Sequence, residues 1–400
     1  MWFERTRRNH VYVTYALTFL VILPILFRNS PFSLYFVGWS KQRLVEKATD
    51  VNELKFREAA RYLSGLDKDK STAFYGSLLQ QDAVDLTVAV VTVNRSGGKR
   101  SLGYLTQVVA ELDKMFKADV HFKKAMFICN TFAGPGQHEE AEDLARYFPV
   151  ETRFPRGNVE HAIRDIFEKE KRDYVYCLQK ALQYPTNHVI MIEDDAVPRR
   201  DMLDILKHVL DTRVEKRYKS GELVVRDWAY VKLFHPDRWL GYTRDLLQII
   251  ELISIGVVGG SLYLLASLLL FRSHDLSSLR RKYKTFLCGA LYCILVAVVI
   301  GRQNVHAVQR LSAYFYSVSP APDCCSPAIL FNAETAIEIS SHLATTTCNS
   351  RLSLDLAMSQ FAHAQGFTTL LVQPNVVRHI GLISTLKGVS DVPEQFAFPP

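Results

Sequence analysis

The chain has 400 residues, enough for two ordinary domains or one large one, and carries a net charge of +7. Residues 1–10 hold +2 of it (Arg5, Arg7 and Arg8 against Glu4), and residues 272–285 hold +4 (Arg272, Arg280, Arg281, Lys282 and Lys284 against Asp275), leaving +1 for everything else. A nucleic-acid-binding face concentrates its basic residues on a folded surface; here they border apolar runs, so no nucleic-acid partner is expected.

The first such run, 11–27, has no charged residue, and neither have 252–271 and 285–301. About 20 apolar residues span a bilayer and about 17 is the lower limit, so the first and third are short spans suited to a thin membrane. The alternative is buried core helices. For the first run, a cleaved signal peptide is a further alternative; its length, Pro24 and the lack of a small-residue cleavage site favour a retained anchor. Positive-inside behaviour puts both basic segments in the cytosol. The expected order is a cytosolic N-terminus (1–10), transmembrane helix 1 (11–27), a luminal stem (28–84) and a first luminal domain part (85–248). Transmembrane helix 2 (249–271), a cytosolic basic loop (272–284), transmembrane helix 3 (285–301) and a second luminal part (302–400) follow. Gly256 and Gly260 form a small-xxx-small pair that would let the last two spans pack closely; glycines merely tolerated in the membrane are the equal alternative.

Residues 41–63 have the charged, amphipathic pattern of a helical stem. DLTVAVVTVNR (85–95) is β-branched and reads as a strand ending in polar residues. Helical spacing follows from 101 to 116, KKAMFICN (123–130) is a second strand, and helices are expected near 137–147 and 159–183. HVIMIEDDAVP (188–198) is a third strand, followed by a helix over 199–213, and WAYVKLFHP (228–236) is a fourth strand. Beyond the membrane runs, PAILF (327–331), a helix over 333–344, LDLAMSQFAHAQ (354–365) and TTLLVQPNVVRHIG (368–381) continue the alternation. This predicts one α/β domain with a largely parallel sheet, into which the hairpin is inserted.

Two strand ends carry chemistry: Thr92, Val93, Asn94 and Arg95, and Glu193, Asp194 and Asp195. Ligands of open α/β sheets bind beyond the carboxyl ends of strands. Three adjacent carboxylates repel one another unless a cation screens them. A hard divalent cation with a diphosphate is the expected partner, rather than a protein side chain. An acidic loop capping the following helix is the alternative. Asn94-Arg95-Ser96 is a glycosylation sequon expected to be buried and unmodified. Five cysteines outside the membrane runs, Cys129, Cys177, Cys324, Cys325 and Cys348, are disulfide candidates. Adjacent Cys324 and Cys325 do not bond each other without strain, so one of them is expected to bridge to Cys348, with the connectivity otherwise open.

The acidic triplet behind a luminal anchor resembles the DxD-type motif of Golgi glycosyltransferases with the GT-A fold. More specifically, EKEKRDYVYCL (168–178), VIMIEDDAVP (189–198), YVKLFHPDRW (230–239), CCSPAILF (324–331) and PNVVRHIGLIS (374–384) resemble the Golgi family that adds N-acetylgalactosamine to glycosylphosphatidylinositol (GPI) anchors. In that family a transmembrane hairpin interrupts the GT-A domain. The resemblance covers nearly the whole chain from about residue 85.

It implies a multi-pass Golgi membrane enzyme with a luminal catalytic domain. The enzyme would transfer from UDP-GalNAc to the first mannose of GPI-anchored proteins, using Mn²⁺ or another divalent cation. Asp195 and His379 would hold the metal, Asp194 would sit near the ribose, Glu193 would order the loop, and Thr92 to Arg95 would line the uridine pocket. The family often has an acid where this chain has Asn94. Apart from the resemblance, Arg378 beside His379 is placed to neutralise phosphate, with a solvated arginine as the equally ordinary alternative. The β linkage implies inversion, and an inverting step needs a carboxylate to take the acceptor proton. Asp355 is the candidate, ahead of Glu334 and Asp323. Two other readings stay open: a GT-A transferase using UDP-GlcNAc on N-glycans, and a non-catalytic membrane scaffold with a degenerate transferase domain.

Overall fold

The structure is a computed structural model that describes residues 12–80, 83–95, 102–133, 138–154, 163, 165–215, 228–236, 241–242, 246–270, 278–384, 388–389 and 396. The expected cytosolic tail (1–10), residues 272–277 of the basic loop, the start of the helix expected at 159 and Ser96 of the sequon lie outside these residues. The chain divides into two units: Met1–Ser40 with Pro236–Leu311, and Lys41–His235 with Ser312–Pro399.

The first unit contains two helices, Leu246–Leu270 and Leu279–Ile300, long and apolar enough to cross a membrane. Their large side chains, such as Leu262, Leu265 and Leu291, are exposed, as in helices that face lipid rather than a protein core. They pack on each other closely: a Cβ on Gly260 would stand 2.8 Å from the Phe286 carbonyl oxygen, and one on Gly256 2.6 Å from Ile294 Cδ1. A shorter apolar helix, Tyr12–Phe27, joins them through Tyr15, whose hydroxyl donates to the Cys288 carbonyl at 2.9 Å. Its turn widens over Thr18–Ile22. Pro24 has no N–H for the Leu20 carbonyl, and a wider turn is one way to absorb that loss. Glu251, partly exposed, accepts from Arg302 Nη2 at 2.7 Å and from His306 Nε2 at 3.0 Å.

The second unit is a mixed α/β fold. Two helices, α1 (Lys41–Ser64) and α2 (Lys68–Leu79), come first. The segment read as a stem is therefore part of the folded unit: Asn52 Nδ2 donates to the Leu102 carbonyl at 2.8 Å, and the Tyr62 and Tyr75 hydroxyls donate to buried Asp113. Then come β1 (Val84–Thr92), α3 (Tyr104–Ala118), β2 (Lys124–Asn130), α4 (Glu139–Leu144), β3 (Val150–Thr152), α5 (Ile166–Ala181), β4 (Thr186–Glu193) and β5 (Ala196–Pro198). α6 (Met202–Val209) and β6 (Trp228–Lys232) complete the first segment. The second supplies β7 (Ser317–Pro320), β8 (Ala328–Asn332), α7 (Ala333–Thr345), α8 (Leu354–Gln365), β9 (Thr368–Gln373), β10 (Val377–His379), β11 (Ile383–Ser384) and β12 (Gly388–Val389). The eight-stranded sheet has the order β3-β2-β1-β4-β8-β6-β9-β7.

The sheet is less parallel than expected. β8 runs antiparallel to both neighbours, β4 and β6, and β7 runs antiparallel to β9; the ladders β1–β2, β1–β4, β2–β3 and β6–β9 are parallel. β4 explains its own sequence. Ile190 and Ile192 point into one core with α3 and α6, while Val189 and Met191 point into the other with α5, α7 and α8. A strand covered on both faces has no polar side, so its apolar run is unbroken. Each such buried side chain contributes about 1.5–3 kcal/mol.

Cys129 on β2 and Cys177 on α5 form a disulfide. Cys324, Cys325 and Cys348 are unbonded, which corrects the bridge expected between the pair and Cys348. Cys348 is buried against the second core, its N–H donates to Glu168 Oε2 at 2.8 Å, and the pair is held elsewhere by Lys232.

A candidate active site at the carboxyl edge of the sheet

Parallel pairing of β1 with β4 sets Val91 opposite Glu193, so both strands end at the same edge. Residues about a hundred positions apart thereby become neighbours. Asp194 N–H donates to the Val91 carbonyl at 3.0 Å, and Asp194 Oδ2 accepts from Thr92 Oγ1 at 2.7 Å and from the Val93 N–H at 3.2 Å. His138 Nε2 lies 2.8 Å from the same Thr92 hydroxyl. With Asp194 ionised the hydroxyl proton goes to the carboxylate, and His138 Nε2 is then the donor. Burial holds the His138 pKa below its ordinary value.

The cation that meets the acids in this structure is a protein side chain. Arg95 Nη2 stands 2.6 Å from Asp194 Oδ1 and its Nη1 stands 2.5 Å from Asp195 Oδ2. Arg95, expected to line the uridine pocket, stands against the acids themselves. Burial pushes all three acids up. For Glu193, to about 8, the Asp195 charge adds to it. Asp194 stays above its ordinary value despite Arg95. At Asp195, Arg95 and then His379 outweigh burial and bring the carboxyl well below the usual range.

His379 reaches Asp195 through a second, small pairing. β10 runs antiparallel to β5 with His379 opposite Ala196, and the Ile380 N–H donates to the Asp195 carbonyl at 2.7 Å. His379 Nε2 lies 3.3 Å from Asp195 Oδ2. Burial pulls the imidazole pKa down, but the Asp195 charge holds it above its ordinary value. Gly381 completes the wall, since a Cβ there would lie 2.1 Å from Asp195 Oδ2. Arg378 lines a small cavity with Asn52, Lys55 and His379. Burial lowers its pKa, and Glu111 is the acid that opposes this.

A divalent cation fits this donor set on one observation: Asp195 Oδ1 is buried and has no hydrogen-bond partner among the described residues. An orphaned carboxylate oxygen is costly unless something binds it. Asp195 and His379 offer hard-oxygen and imidazole ligands to such an ion.

Antiparallel β8 brings a third segment to the same edge. Ala328 pairs with Ile192, so Cys324, Cys325 and Ser326 arrive beside the acids; Ser326 Oγ lies 3.5 Å from Glu193 Oε1. The Cys325 N–H donates to Asp355 Oδ2 at 2.7 Å, and the Ser353 hydroxyl donates to Asp355 Oδ1. Asp355 is thus linked to the acidic cluster through one short loop. The weaker candidates are not so placed: Glu334 is exposed at the start of α7, and exposed Asp323 accepts from Ser359 at 2.6 Å. Asn94 is half-buried at the end of β1.

Glu170 on α5 was missed. Burial pushes its pKa to about 7, with Asp355 and then Asp173 adding to the rise and Arg95 opposing it. In EKEKRD it reads as one charge of a solvated helix face, and no local signal separates it from its neighbours. His138 and Lys232 were missed for the same reason.

A family model described as GPI-N-acetylgalactosamine transferase PGAP4 matches residues 86–378. The match covers most of the chain and runs across both segments of the α/β unit. The chain belongs to the GPI-N-acetylgalactosamine transferase family and is, by that membership, a glycosyltransferase.

Proposed function

We propose that this GPI-N-acetylgalactosamine transferase family member uses a GT-A-type domain to move N-acetylgalactosamine from UDP-GalNAc to the first mannose of GPI anchors on GPI-anchored proteins, with inversion, in the Golgi membrane. The observation that carries the reading is the meeting of Asp194, Asp195 and His379 at the carboxyl edge of the sheet in a chain of this family. Two long apolar helices, a short third one and the basic segments beside them support a multi-pass protein with a cytosolic N-terminus and its α/β unit on the luminal side. Such an anchor would hold the enzyme at the surface where a lipid-linked acceptor resides.

Thr92, Val93, Asn94 and Arg95 would receive the nucleotide, with Asp194 fixed by Thr92 and Val93 towards the ribose. Asp195 and His379 would hold a divalent cation such as Mn²⁺, which when bound supplies positive charge for the departing diphosphate. Glu193, tied to Ser326, would keep the loop of the second segment in place. Asp355, oriented by the Cys325 N–H and Ser353, would take the acceptor hydroxyl proton.

The test is an assay of purified protein with UDP-GalNAc, UDP-GlcNAc and UDP-Gal on GPI acceptors, with and without Mn²⁺, beside Asp195→Ala. Transfer from UDP-GalNAc that needs both metal and Asp195 is expected. Equal transfer without metal, or by Asp195→Ala, would overturn the mechanism, and preference for UDP-GlcNAc would overturn the donor.

A further inference from the structure

The pair Cys324–Cys325, on the loop that reaches the acids through Ser326, also lies beside His235. The two sulfurs are 2.9 Å apart, and Cys324 Sγ is 4.0 Å from His235 Nδ1. Cys324 is exposed, Cys325 half-buried and His235 buried. Cys325 has φ +79°, a left-handed turn uncommon for a residue other than glycine, and it folds the two side chains towards one another.

The rest of the fold holds this turn in place. Lys232, fully buried on β6, spends its three donors on the carbonyls of Pro322, Asp323 and Cys324, at 2.7, 3.1 and 2.7 Å. On the other side the Cys325 N–H is held by Asp355. A loop with no task beyond connection would not need a buried ammonium. The same charge shapes the sulfur chemistry. The S–H of Cys325, then His235 and Lys232, lower the Cys324 thiol to about 5 against burial. The neighbouring thiolate and burial push Cys325 up.

We propose that Cys324 and Cys325 are a reactive dithiol that closes to a vicinal disulfide by exchange with a low-molecular-weight disulfide. Cys324 attacks first: its thiolate bonds one sulfur of the reagent and expels the other half as a thiolate. Cys325 then gives up its proton and attacks the Cys324 sulfur, expelling the second half. In sum two protein thiols lose two electrons and two protons, and one external disulfide becomes two thiols. The sulfurs need only close to about 2.05 Å. Adjacent cysteines are expected not to bond without strain, and both thiols are free in the structure; the left-handed turn at Cys325 lets the proposed closure start from sulfurs already 2.9 Å apart.

Cys324, Cys325 and His235, with ligand atoms within 4.8 Å of one another, could bind a soft cation. The fixed ammonium of Lys232 argues against a second positive charge there and for a thiolate. The inference does not depend on the transferase reading. Its consequence for that reading is that ring closure would fix the N–H that orients Asp355.

The experiment equilibrates the full-length protein in detergent with mixtures of reduced and oxidised glutathione, quenches with N-ethylmaleimide and maps peptides by mass. Under oxidising mixtures the 324–325 peptide should lose both maleimide adducts and recover both on reduction with a phosphine. In Cys325→Ser, oxidised glutathione should leave its adduct on Cys324; in Cys324→Ser, the adduct on Cys325 should form at least about tenfold more slowly at pH 6. Protection of the buried free thiol of Cys348 from maleimide reports that each variant has folded. Should a variant fail that check, brief labelling of the wild type at pH 6 replaces it, with Cys324 alkylated first. Free thiols at every glutathione ratio, equal trapping in both variants, Cys325 labelling first, or bound zinc that blocks alkylation until chelated would each overturn the proposal.

Discussion

The guanidinium of Arg95 spans two carboxylates that are adjacent in sequence, with Nη2 2.6 Å from Asp194 Oδ1 and Nη1 2.5 Å from Asp195 Oδ2. The acids follow β4, the arginine follows β1, and the clamp therefore ties the ends of two central strands. Removing it leaves buried charge uncompensated. Arg95→Met should cost about 3–5 kcal/mol in denaturant unfolding of the purified protein. Arg95→Lys should recover only part of that loss, because a point charge cannot bridge two carboxylates as a planar fork does. Equal stability of wild type and Arg95→Met would show that the clamp does not matter to the fold.

Gly381 makes a prediction about shape. Its absent side chain leaves room for Asp195 Oδ2, which a Cβ would meet at 2.1 Å. The carboxylate is held by Arg95 and His379 and has little freedom to withdraw. Gly381→Ala should lower transferase activity by about 10²-fold, the scale expected of misplaced site groups. Its melting temperature should drop less than that of Arg95→Met. Unchanged kcat in Gly381→Ala would mean that Asp195 has slack.

Asp355 should separate chemistry from binding. If it takes the acceptor proton, Asp355→Asn loses about 10²–10⁴-fold in kcat, with the KM for the nucleotide sugar little changed. A loss confined to KM would instead assign Asp355 to acceptor binding.

Glu170 carries a signed dependence on pH. Its folded-state pKa, about 7, lies above the ordinary carboxyl value because of burial first and Asp355 second. A raised carboxyl pKa contributes stability that is present below the ordinary value of 4.5 and is lost as pH rises through about 7. Glu170→Gln should match the wild type at pH 4.5 and exceed it at pH 8 by about 3 kcal/mol. Unfolding curves at the two pH values give the comparison; a constant difference would show that Glu170 does not titrate in this window.

The Cys129–Cys177 disulfide closes a sequence separation of 48 and staples β2 to α5. In the chain-entropy account its removal by Cys177→Ser costs about 4 kcal/mol. Denaturant melts of the variant against the oxidised wild type measure it, and loss of only a few tenths would leave the bond without a structural role.

Much of the fold was legible because it rests on local patterns. The unbroken apolar run of β4, the helices at 333–344 and 354–365 and the apolar runs all appear near their expected places, since burial on two faces, helical periodicity and span length each mark the sequence itself. The expected stem folded into the α/β unit because Asn52, Tyr62 and Tyr75 find partners on α3, which no pattern within 41–79 reveals.

The sequence by itself determined that three acids end a buried strand, that Arg95 ends another, and that five cysteines lie outside the apolar runs. Only the tertiary structure decided which of these meet. Parallel pairing of β1 with β4 joined Arg95 to Asp194 and Asp195, antiparallel β8 carried Cys325 to Asp355, and the β5–β10 pair delivered His379. The physical reason is common to all three. Strand order and register are chosen by packing among residues far apart in the chain, whereas a charge or a thiol looks the same in sequence whatever it will face.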